Sequence, residues 1–249
     1  MSKLDNFYNE ENNAENYSQL PVEPIGTTGY LSTRDVLALL KKHMKDDFSL
    51  SMNTLDYGCG VGRSTRYLKQ HLNLTEVVGV DVNNKMLSIA KENDKNGTYE
   101  LIESARTAFA DASFDLVYSS FVIVEIATKE EIARVFKEIH RILAPQGIFM
   151  IVTASEYFFN TRYEWITYNQ QYPENENLKS GSQTKFDVIG ADLTLRDYFW
   201  TKQDIVDLAT QASFNIAEIH QPIGTKEDNV AWLSEKDVPP FSVFVLQKD

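Results

Sequence analysis

Short apolar runs and amphipathic segments alternate through the middle of the chain. Runs typical of strands cover residues 53–57, 76–80, 98–102, 114–118 and 147–153. Between them, apolar positions at helical spacing predict helices over about residues 63–72, 83–93 and 128–141. A further helix is predicted upstream, from a cap at Ser32 or Thr33 to about His43. Alternating strands and helices imply a parallel, doubly wound α/β sheet.

Two regions flank this alternating core. Residues 1–30 are predicted to be an N-terminal arm or cap, and residues 31–249 to be the main domain. The arm is polar but contains Phe7, Tyr8 and Tyr17, and we expect some of these rings to pack over a functional site. Towards the end of the chain the pattern predicts a helix capped by Thr201, and then strands at 214–219 and 241–247.

The alternation stops between about residues 155 and 200, a segment rich in aromatic and polar residues that include Tyr163 and Trp165. Within it, residues 185–189 and 194–198 alternate well enough to predict a hairpin across Gly190, Ala191 and Asp192. We interpret this lid insertion as a cover for the active site. An extended second core or a dimer surface is the alternative.

Composition narrows the class of protein. The 249 residues are 43% apolar, enough for the core of one large domain with an insertion. The formal net charge of −12 argues against a nucleic-acid partner, because phosphate binding needs clustered Lys and Arg. Cys59 is the single cysteine, which excludes a disulfide framework and suits a cytoplasmic location. A signal peptide and an 18-residue apolar run are both missing, so we expect no membrane association.

A glycine-rich turn is the most informative motif. Gly58, Gly60 and Gly62 follow the first core strand at alternate positions, and Asp56 precedes them. Glycine permits positive φ and close approach of the backbone to a ligand, so a nucleotide-like group can lie over the start of the next helix. Asp81 ends the second strand, where an acid can accept hydrogen bonds from both ribose hydroxyls of an adenosine.

Two ligand classes compete for this turn. A dinucleotide fingerprint is G-x-G-x-x-G, and a pyrophosphate favours little negative charge nearby. Asp56 instead suits a ligand with an ammonium group. Asp56-x-Gly58-x-Gly60-x-Gly62 resembles motif I of the class I S-adenosylmethionine-dependent methyltransferases, and residues 78–81 resemble their motif II. A dinucleotide site and a turn that binds nothing are the alternatives.

The resemblance extends over about residues 54–153. Residues 112–117 resemble the family's fourth-strand signature, and residues 141–147 resemble its R-x-L-K-P-G-G turn, with Ala144 and Gln146 as departures. It implies a Rossmann-like seven-stranded sheet closed by a hairpin of the last two strands. It also implies S-adenosylmethionine as cofactor and S-adenosylhomocysteine as product. The flanking segments resemble no particular subfamily, so the acceptor is not implied.

The resemblance assigns roles at the methionine and ribose end of the cofactor. Asp56 would orient the ammonium group, directly or through a water, and Gly58 and Gly60 would let the backbone approach. Asp81 would hold the ribose hydroxyls. Arg63 is a candidate for the carboxylate, or else an exposed helix residue.

Further positions are implied around the adenine and after the fourth strand. Val82 and Met86 would pack on the adenine, and Glu103 and Ser104 would lie at its edge. The family usually has Asp where Glu103 stands. Ser119 would present a backbone carbonyl to the ammonium group.

Methyl transfer is an in-line displacement at a sulfonium methyl, so a base is needed only when the acceptor must lose a proton. Glu125, in the apolar run 121–126, is the main candidate base, because desolvation would raise its pKa. A purely structural role is the alternative. His220 is a second candidate, if it faces the substrate opening. Candidate rings for the sulfonium and the acceptor are Tyr17, Tyr30, Tyr198 and Trp200.

Three specialised chemistries are disfavoured. Methylation of the adenine amino group usually uses a Pro-Pro-aromatic motif after the fourth strand, where this chain has Ser119 and Ser120. Cytosine C5 methylation needs a Pro-Cys nucleophile, but the single cysteine, Cys59, is in the glycine turn. Ser119 and Thr153 stand where metal-dependent enzymes have acids, so no metal is predicted. The sequence therefore predicts methyl transfer to an O or N atom of a small molecule. A protein or peptide methyltransferase and a non-catalytic S-adenosylmethionine-binding protein are the alternatives, and the oligomeric state is not predicted.

Overall fold

A computed structural model describes residues 8–9, 12–22, 26–44, 48–159, 168–191 and 193–249. The predictions made for Phe7, Tyr163, Trp165 and Asp192 lie outside the described residues.

Helices and strands alternate from Val36 onwards. The helices are α1 (Asn13–Ser18), α2 (Val36–Met44), α3 (Arg63–Gln70), α4 (Asn84–Asn93), α5 (Lys129–Ile142) and α6 (Lys202–Gln211). The first strands are β1 (Thr54–Tyr57), β2 (Val77–Asp81), β3 (Thr98–Leu101), β4 (Phe114–Ser120) and β5 (Leu143–Ala154). The later strands are β6 (Tyr168–Asn169), β7 (Phe186–Val188), β8 (Thr194–Leu195), β9 (Phe214–His220) and β10 (Phe241–Lys248).

The main sheet has seven strands in the order β3-β2-β1-β4-β5-β10-β9. Strands β1 to β5 pair in parallel, whereas β10 is antiparallel to both β5 and β9. The order reverses between β1 and β4, and ligands of open α/β sheets bind at such a switch point. The predicted doubly wound sheet with antiparallel final strands is confirmed.

Helices cover the central strands on both faces. On one face α5 and α6 bury their apolar sides, with Phe136 and Ile139 fully buried against Phe149 of β5. On the other face α2 and α3 bury Leu40 and Leu68. Central strands that are buried on both faces have continuous apolar sequences, which is why short apolar runs identified them.

Two of the boundaries that differ from the sequence prediction have a clear physical reason. Helix α2 begins at Val36, because the hydroxyls of Ser32 and Thr33 donate back to the carbonyls of Gly29 and Tyr30 instead of capping the helix. Strand β5 begins at Leu143 and includes the predicted turn as a bulge, with Gln146 at φ 65°.

The insertion forms a small antiparallel sheet, β6-β7-β8. The predicted hairpin is present between β7 and β8 but is shorter than expected. Phe158, Phe186 and Phe199 pack there in one cluster with Phe241, the first residue of β10. The insertion therefore has an aromatic core of its own that joins the main sheet at the start of β10.

Candidate active site

The glycine turn after β1 is held tightly against neighbouring elements. The amides of Gly58 and Cys59 both donate to the carbonyl of Val80, at 2.8 and 2.9 Å. Gly58 has φ +76°, and a Cβ built there would lie 2.2 Å from Cγ2 of Val122. Only glycine fits this position, because both its backbone conformation and its surroundings exclude a side chain.

A cavity of about 750 Å³ opens over this turn. Its wall comes from the arm, the glycine turn, the ends of β2 and β3, and the segment between β4 and α5. Residues predicted for the cofactor or acceptor that line it are Gly58, Gly60, Asp81, Val82, Met86, Glu103, Ser104, Glu125 and Tyr17. The structure therefore brings most of the predicted site residues together.

Asp81 is fixed at the meeting point of two loops. Its Oδ2 accepts the amide of Gly60 at 2.7 Å, and its Oδ1 accepts the amide of Asn83 at 2.8 Å. Asn83 in turn caps α4 by accepting the amides of Lys85 and Met86. These bonds hold the Asp81 carboxylate in the cavity wall and couple its position to the glycine turn.

Asp56 lies behind the cavity wall rather than in it. The hydroxyls of Ser64 and Thr65 donate to its Oδ2 at 2.7 and 2.6 Å. Its Oδ1 is buried without a hydrogen-bond partner among the described residues. Burial raises the pKa of Asp56 to about 6, assisted by the charge of Asp81 and opposed by the two hydroxyls. Asp56 does not line the cavity, and its role in orienting an ammonium group stays a prediction.

Glu125 faces the cavity from a short 3₁₀ turn, Ile123–Glu125, that follows β4. The hydroxyl of Tyr8 donates to its Oε1 at 2.8 Å. Burial raises the pKa of Glu125 to about 7, with the Asp81 charge acting in the same direction and the Tyr8 hydrogen bond opposing it. A carboxyl with this pKa exchanges protons near neutral pH, as a general base must.

The arm forms a roof over the glycine turn. Tyr8 and Ala14 pack with Val61 and Met86 in one buried cluster. Tyr8 also packs edge-on against Tyr17, with ring centroids 5.6 Å apart. Tyr8 and Tyr17 are two of the arm rings that the sequence predicted over a functional site, whereas the hydrogen bond between Tyr8 and Glu125 was not predicted.

Charged contacts hold the arm in place. The guanidinium of Arg63 lies 5.5 Å from the ring centroid of Tyr17. An ion pair of 3.0 Å joins Glu15 of α1 to Lys85 of α4. The arm is therefore attached to α3, which follows the glycine turn, and to α4, which follows Asp81.

Tyr198 and Trp200 do not line the cavity but bond to the backbone of the segment that carries Glu125. The amide of Tyr198 donates to the carbonyl of Val124, and the indole N–H of Trp200 donates to the carbonyl of Ile126 at 3.1 Å. Both rings pack on the main core. The prediction that they contact the acceptor is corrected: they fix the backbone on either side of Glu125. No other described residue of the insertion lines the cavity.

His220 is not in the cavity wall, contrary to the prediction of a catalytic role. It ends edge strand β9, four strand positions from β1, which is about 19 Å along the sheet. Its Nε2 lies 2.7 Å from Oδ2 of Asp35, which also bonds Arg34. The imidazole therefore belongs to a peripheral ion-pair network.

Two further predicted positions are also outside the cavity wall. Ser119 is buried inside β4 opposite Ile151, because that strand continues two residues beyond its predicted end, and Ser120 lines the cavity instead. Tyr30 lies in a 3₁₀ turn, whereas Ser32 and Thr33 reach the wall.

The described part of the chain holds no group of three or more His, Cys, Asp or Glu side chains arranged to bind a metal ion. None of its helices is long and apolar enough to cross a membrane.

A family model described as a methyltransferase domain matches residues 55–151. These residues form a class I methyltransferase domain. The matched segment runs from β1 to β5 and contains the glycine turn, Asp81 and Glu125. The predicted family is thereby confirmed, and S-adenosylmethionine is the cofactor of this domain.

Individual relatives are distant and mostly partial. An uncharacterized methyltransferase of Synechocystis is 36% identical over 104 residues, which are 42% of this chain and 48% of the relative. The chain thus spans about half the length of that relative. N-demethylindolmycin N-methyltransferase of Streptomyces griseus is 25% identical over 65% of this chain and 68% of its own.

A solved structure covers nearly the whole fold. An S-adenosylmethionine-dependent methyltransferase from Mesorhizobium loti superposes with a TM-score of 0.60 over 90% of this chain and 99% of its own. Its sequence identity is 19%, so the likeness concerns the fold alone.

Proposed function

We propose that the protein transfers a methyl group from S-adenosylmethionine to an oxygen or nitrogen atom of a small molecule, with Glu125 as the base. The observation that carries this proposal is the Glu125 carboxyl in the wall of the cavity that also contains the glycine turn and Asp81. A base is useful there only if the acceptor must lose a proton.

The residues present fit the cofactor. Gly58 and Gly60 keep the cavity floor free of side chains, and Asp81 would accept bonds from the ribose hydroxyls. Val82 and Leu101, each about half exposed in the wall, offer apolar surface to the adenine, with Glu103 and Ser104 at its edge.

Asp56 and Arg63 are the candidates for binding the charged methionine end of the cofactor. The unpartnered Oδ1 of Asp56 would accept a water held by the ammonium group, since a buried acceptor without a donor is costly. Arg63 lines the cavity beside the glycine turn and would pair with the carboxylate.

When bound, S-adenosylmethionine supplies a methyl group that its positive sulfur already activates. The protein's tasks are then to align the acceptor, to remove its proton and to exclude water. Glu125 removes the proton, and the Tyr8 hydrogen bond together with the contacts from Tyr198 and Trp200 keeps its carboxyl in place. The arm closes the roof with the rings of Tyr8 and Tyr17.

Three observations favour a small acceptor over a macromolecule. The arm roofs the cavity, whereas a protein side chain needs an open groove. The net charge of −12 disfavours nucleic acid. The named Streptomyces griseus relative is an N-methyltransferase of a small compound. A cytoplasmic location stays a prediction.

The test uses S-adenosylmethionine labelled in the transferred methyl group. The protein is incubated with a cell extract divided by ultrafiltration into a small-molecule and a protein fraction. Label transferred to the small-molecule fraction, and lost in Glu125→Gln, is the expected result. Label in the protein fraction supports the protein-methylating alternative, and binding of the donor without transfer to either fraction supports a non-catalytic role.

A further inference from the structure

We propose that Tyr57 is a positioning residue for recognition of the cofactor's base, because its hydroxyl fixes the loop whose polar groups distinguish adenine from other purines. This inference rests on the proposed function, which places Glu103 and Ser104 at the edge of the adenine. It adds Tyr57, the last residue of β1, to the determinants of cofactor specificity.

The base-edge loop, residues 102–107, is anchored at both ends. At its start, the amide of Ile102 donates to the carbonyl of Asp81 at 3.0 Å. At its end, the amide and the hydroxyl of Thr107 both donate to Oε1 of Glu138, at 2.8 and 2.7 Å. These bonds join the loop to the end of β2 and to α5, so its two ends are fixed to different elements.

The middle of the base-edge loop is anchored by Tyr57. The hydroxyl of Tyr57 donates to the carbonyl of Ala105 at 3.1 Å, although the two residues are 48 positions apart in the chain. Tyr57 ends β1, and its ring is buried in the main core. A side chain that is held by both a strand and the core has little freedom, so its hydroxyl fixes Ala105 relative to the glycine turn that begins at the next residue, Gly58.

The residues between the end anchors have few other contacts. Glu103 and Ser104 are exposed and line the cavity. The amide of Arg106 lies 3.4 Å from Oγ of Ser104, which is a long hydrogen bond within the loop itself. Among the described residues, the bond from Tyr57 to Ala105 is the single hydrogen bond that joins residues 103–106 to another element.

The polar groups of the base-edge loop match one edge of adenine. The backbone amides of Glu103, Ser104 and Ala105 donate to no described residue, and Glu103 is exposed. Adenine presents an amino group, which donates, beside N1, which accepts. A carboxylate and a free amide on one short loop are complementary to these two groups. Hypoxanthine has an oxygen and a protonated N1 at the same positions, so the loop would place acceptor against acceptor and donor against donor.

This match depends on the position of the loop. Hydrogen bonds weaken steeply as their distance and angle depart from the optimum, so a loop that moves freely would bind either purine with similar affinity. Loss of the Tyr57 hydroxyl releases the carbonyl of Ala105 but leaves the ring packed in the core. Tyr57→Phe should therefore affect the selection of the base and not the binding of the ribose by Asp81.

The test compares two ligands that differ only at the base. S-adenosylhomocysteine and its deaminated analogue, S-inosylhomocysteine, are titrated separately by calorimetry into the unchanged protein and into Tyr57→Phe. We expect the unchanged protein to prefer the adenine ligand by about tenfold or more, because hypoxanthine leaves polar groups unpaired. Tyr57→Phe should reduce this preference by about threefold or more, mainly through weaker binding of S-adenosylhomocysteine.

Tyr99→Phe is the matched control, because it removes a hydroxyl that lies 3.3 Å from Asp94 on a residue that does not line the cavity, and it should keep the preference. If urea unfolding shows that Tyr57→Phe does not fold, Thr107→Val takes its place; it removes one bond of the end anchor and should also reduce the preference. Equal affinities of the two ligands for the unchanged protein, an equal loss of preference in Tyr99→Phe, or an undiminished preference in the loop variant would overturn the inference. Failure of S-adenosylhomocysteine to bind the unchanged protein would instead overturn the proposed function itself.

Discussion

Replacing Glu125 by Gln should stabilise the protein, and more so at higher pH. The substitution keeps the shape of the side chain and an acceptor for the Tyr8 hydroxyl. Glu125 costs stability because its carboxylate is buried in the folded state and solvated in the unfolded state. The unfolded chain therefore loses its proton first, and the stability of the unchanged protein falls as the pH rises between the two pKa values.

The size of this change in stability follows from the pKa shift of Glu125. Burial moves the pKa of Glu125 from 4.5 to about 7, which corresponds to about 3 kcal/mol. Part of the carboxyl faces the cavity, where water reduces the penalty. We therefore expect the stability difference between Glu125→Gln and the unchanged protein to grow by about 2 kcal/mol from about pH 5 to about pH 8.5.

Urea unfolding at both pH values measures this difference. Glu130→Gln, on the exposed side of the first turn of α5, is the matched control and should give the same pH dependence as the unchanged protein. A parallel change of stability with pH in Glu125→Gln and the unchanged protein would contradict this prediction, because Glu125 would then titrate alike in the folded and unfolded states.

The remaining predictions concern other parts of the site. Asp81→Ala should weaken S-adenosylhomocysteine binding tenfold or more through loss of charge-assisted hydrogen bonds, and an unchanged affinity in calorimetry would remove Asp81 from the cofactor site. Tyr8→Phe removes a donor to the Glu125 carboxylate, so the pKa of Glu125 should rise further; an unshifted carboxyl resonance in an NMR titration would contradict this. Gly58→Ala should cost about 2 kcal/mol or more, because its Cβ would collide with Val122 at positive φ. Its urea midpoint should fall accordingly, and an unchanged midpoint would show that the turn adapts.

The core of the site could be predicted because its motifs stand at the ends of neighbouring strands. The three glycines follow β1 and Asp81 ends β2, and the parallel pairing of these two strands brings them together. Glu125 was found in the same way, as an acid inside an apolar run next to a strand. The parallel, doubly wound sheet followed from the alternation of strands and helices, and its final hairpin from the family resemblance.

Contacts between distant segments were not predictable in this way. Tyr8 meets Glu125 across 117 residues, and no local pattern specifies that pairing. His220 was misassigned because its distance from the cavity depends on strand order rather than on its place after a strand. Tyr198 and Trp200 were expected to present rings to a ligand, but their N–H groups bond the backbone beside Glu125 and their rings fill the core.

The central claim, that the cavity over the glycine turn holds S-adenosylmethionine, is tested most directly by titration calorimetry. S-adenosylmethionine, S-adenosylhomocysteine and NAD would be titrated separately into the unchanged protein. The account predicts micromolar binding of the two adenosyl ligands and no binding of NAD. Binding of NAD alone, or of none of the three, would contradict it.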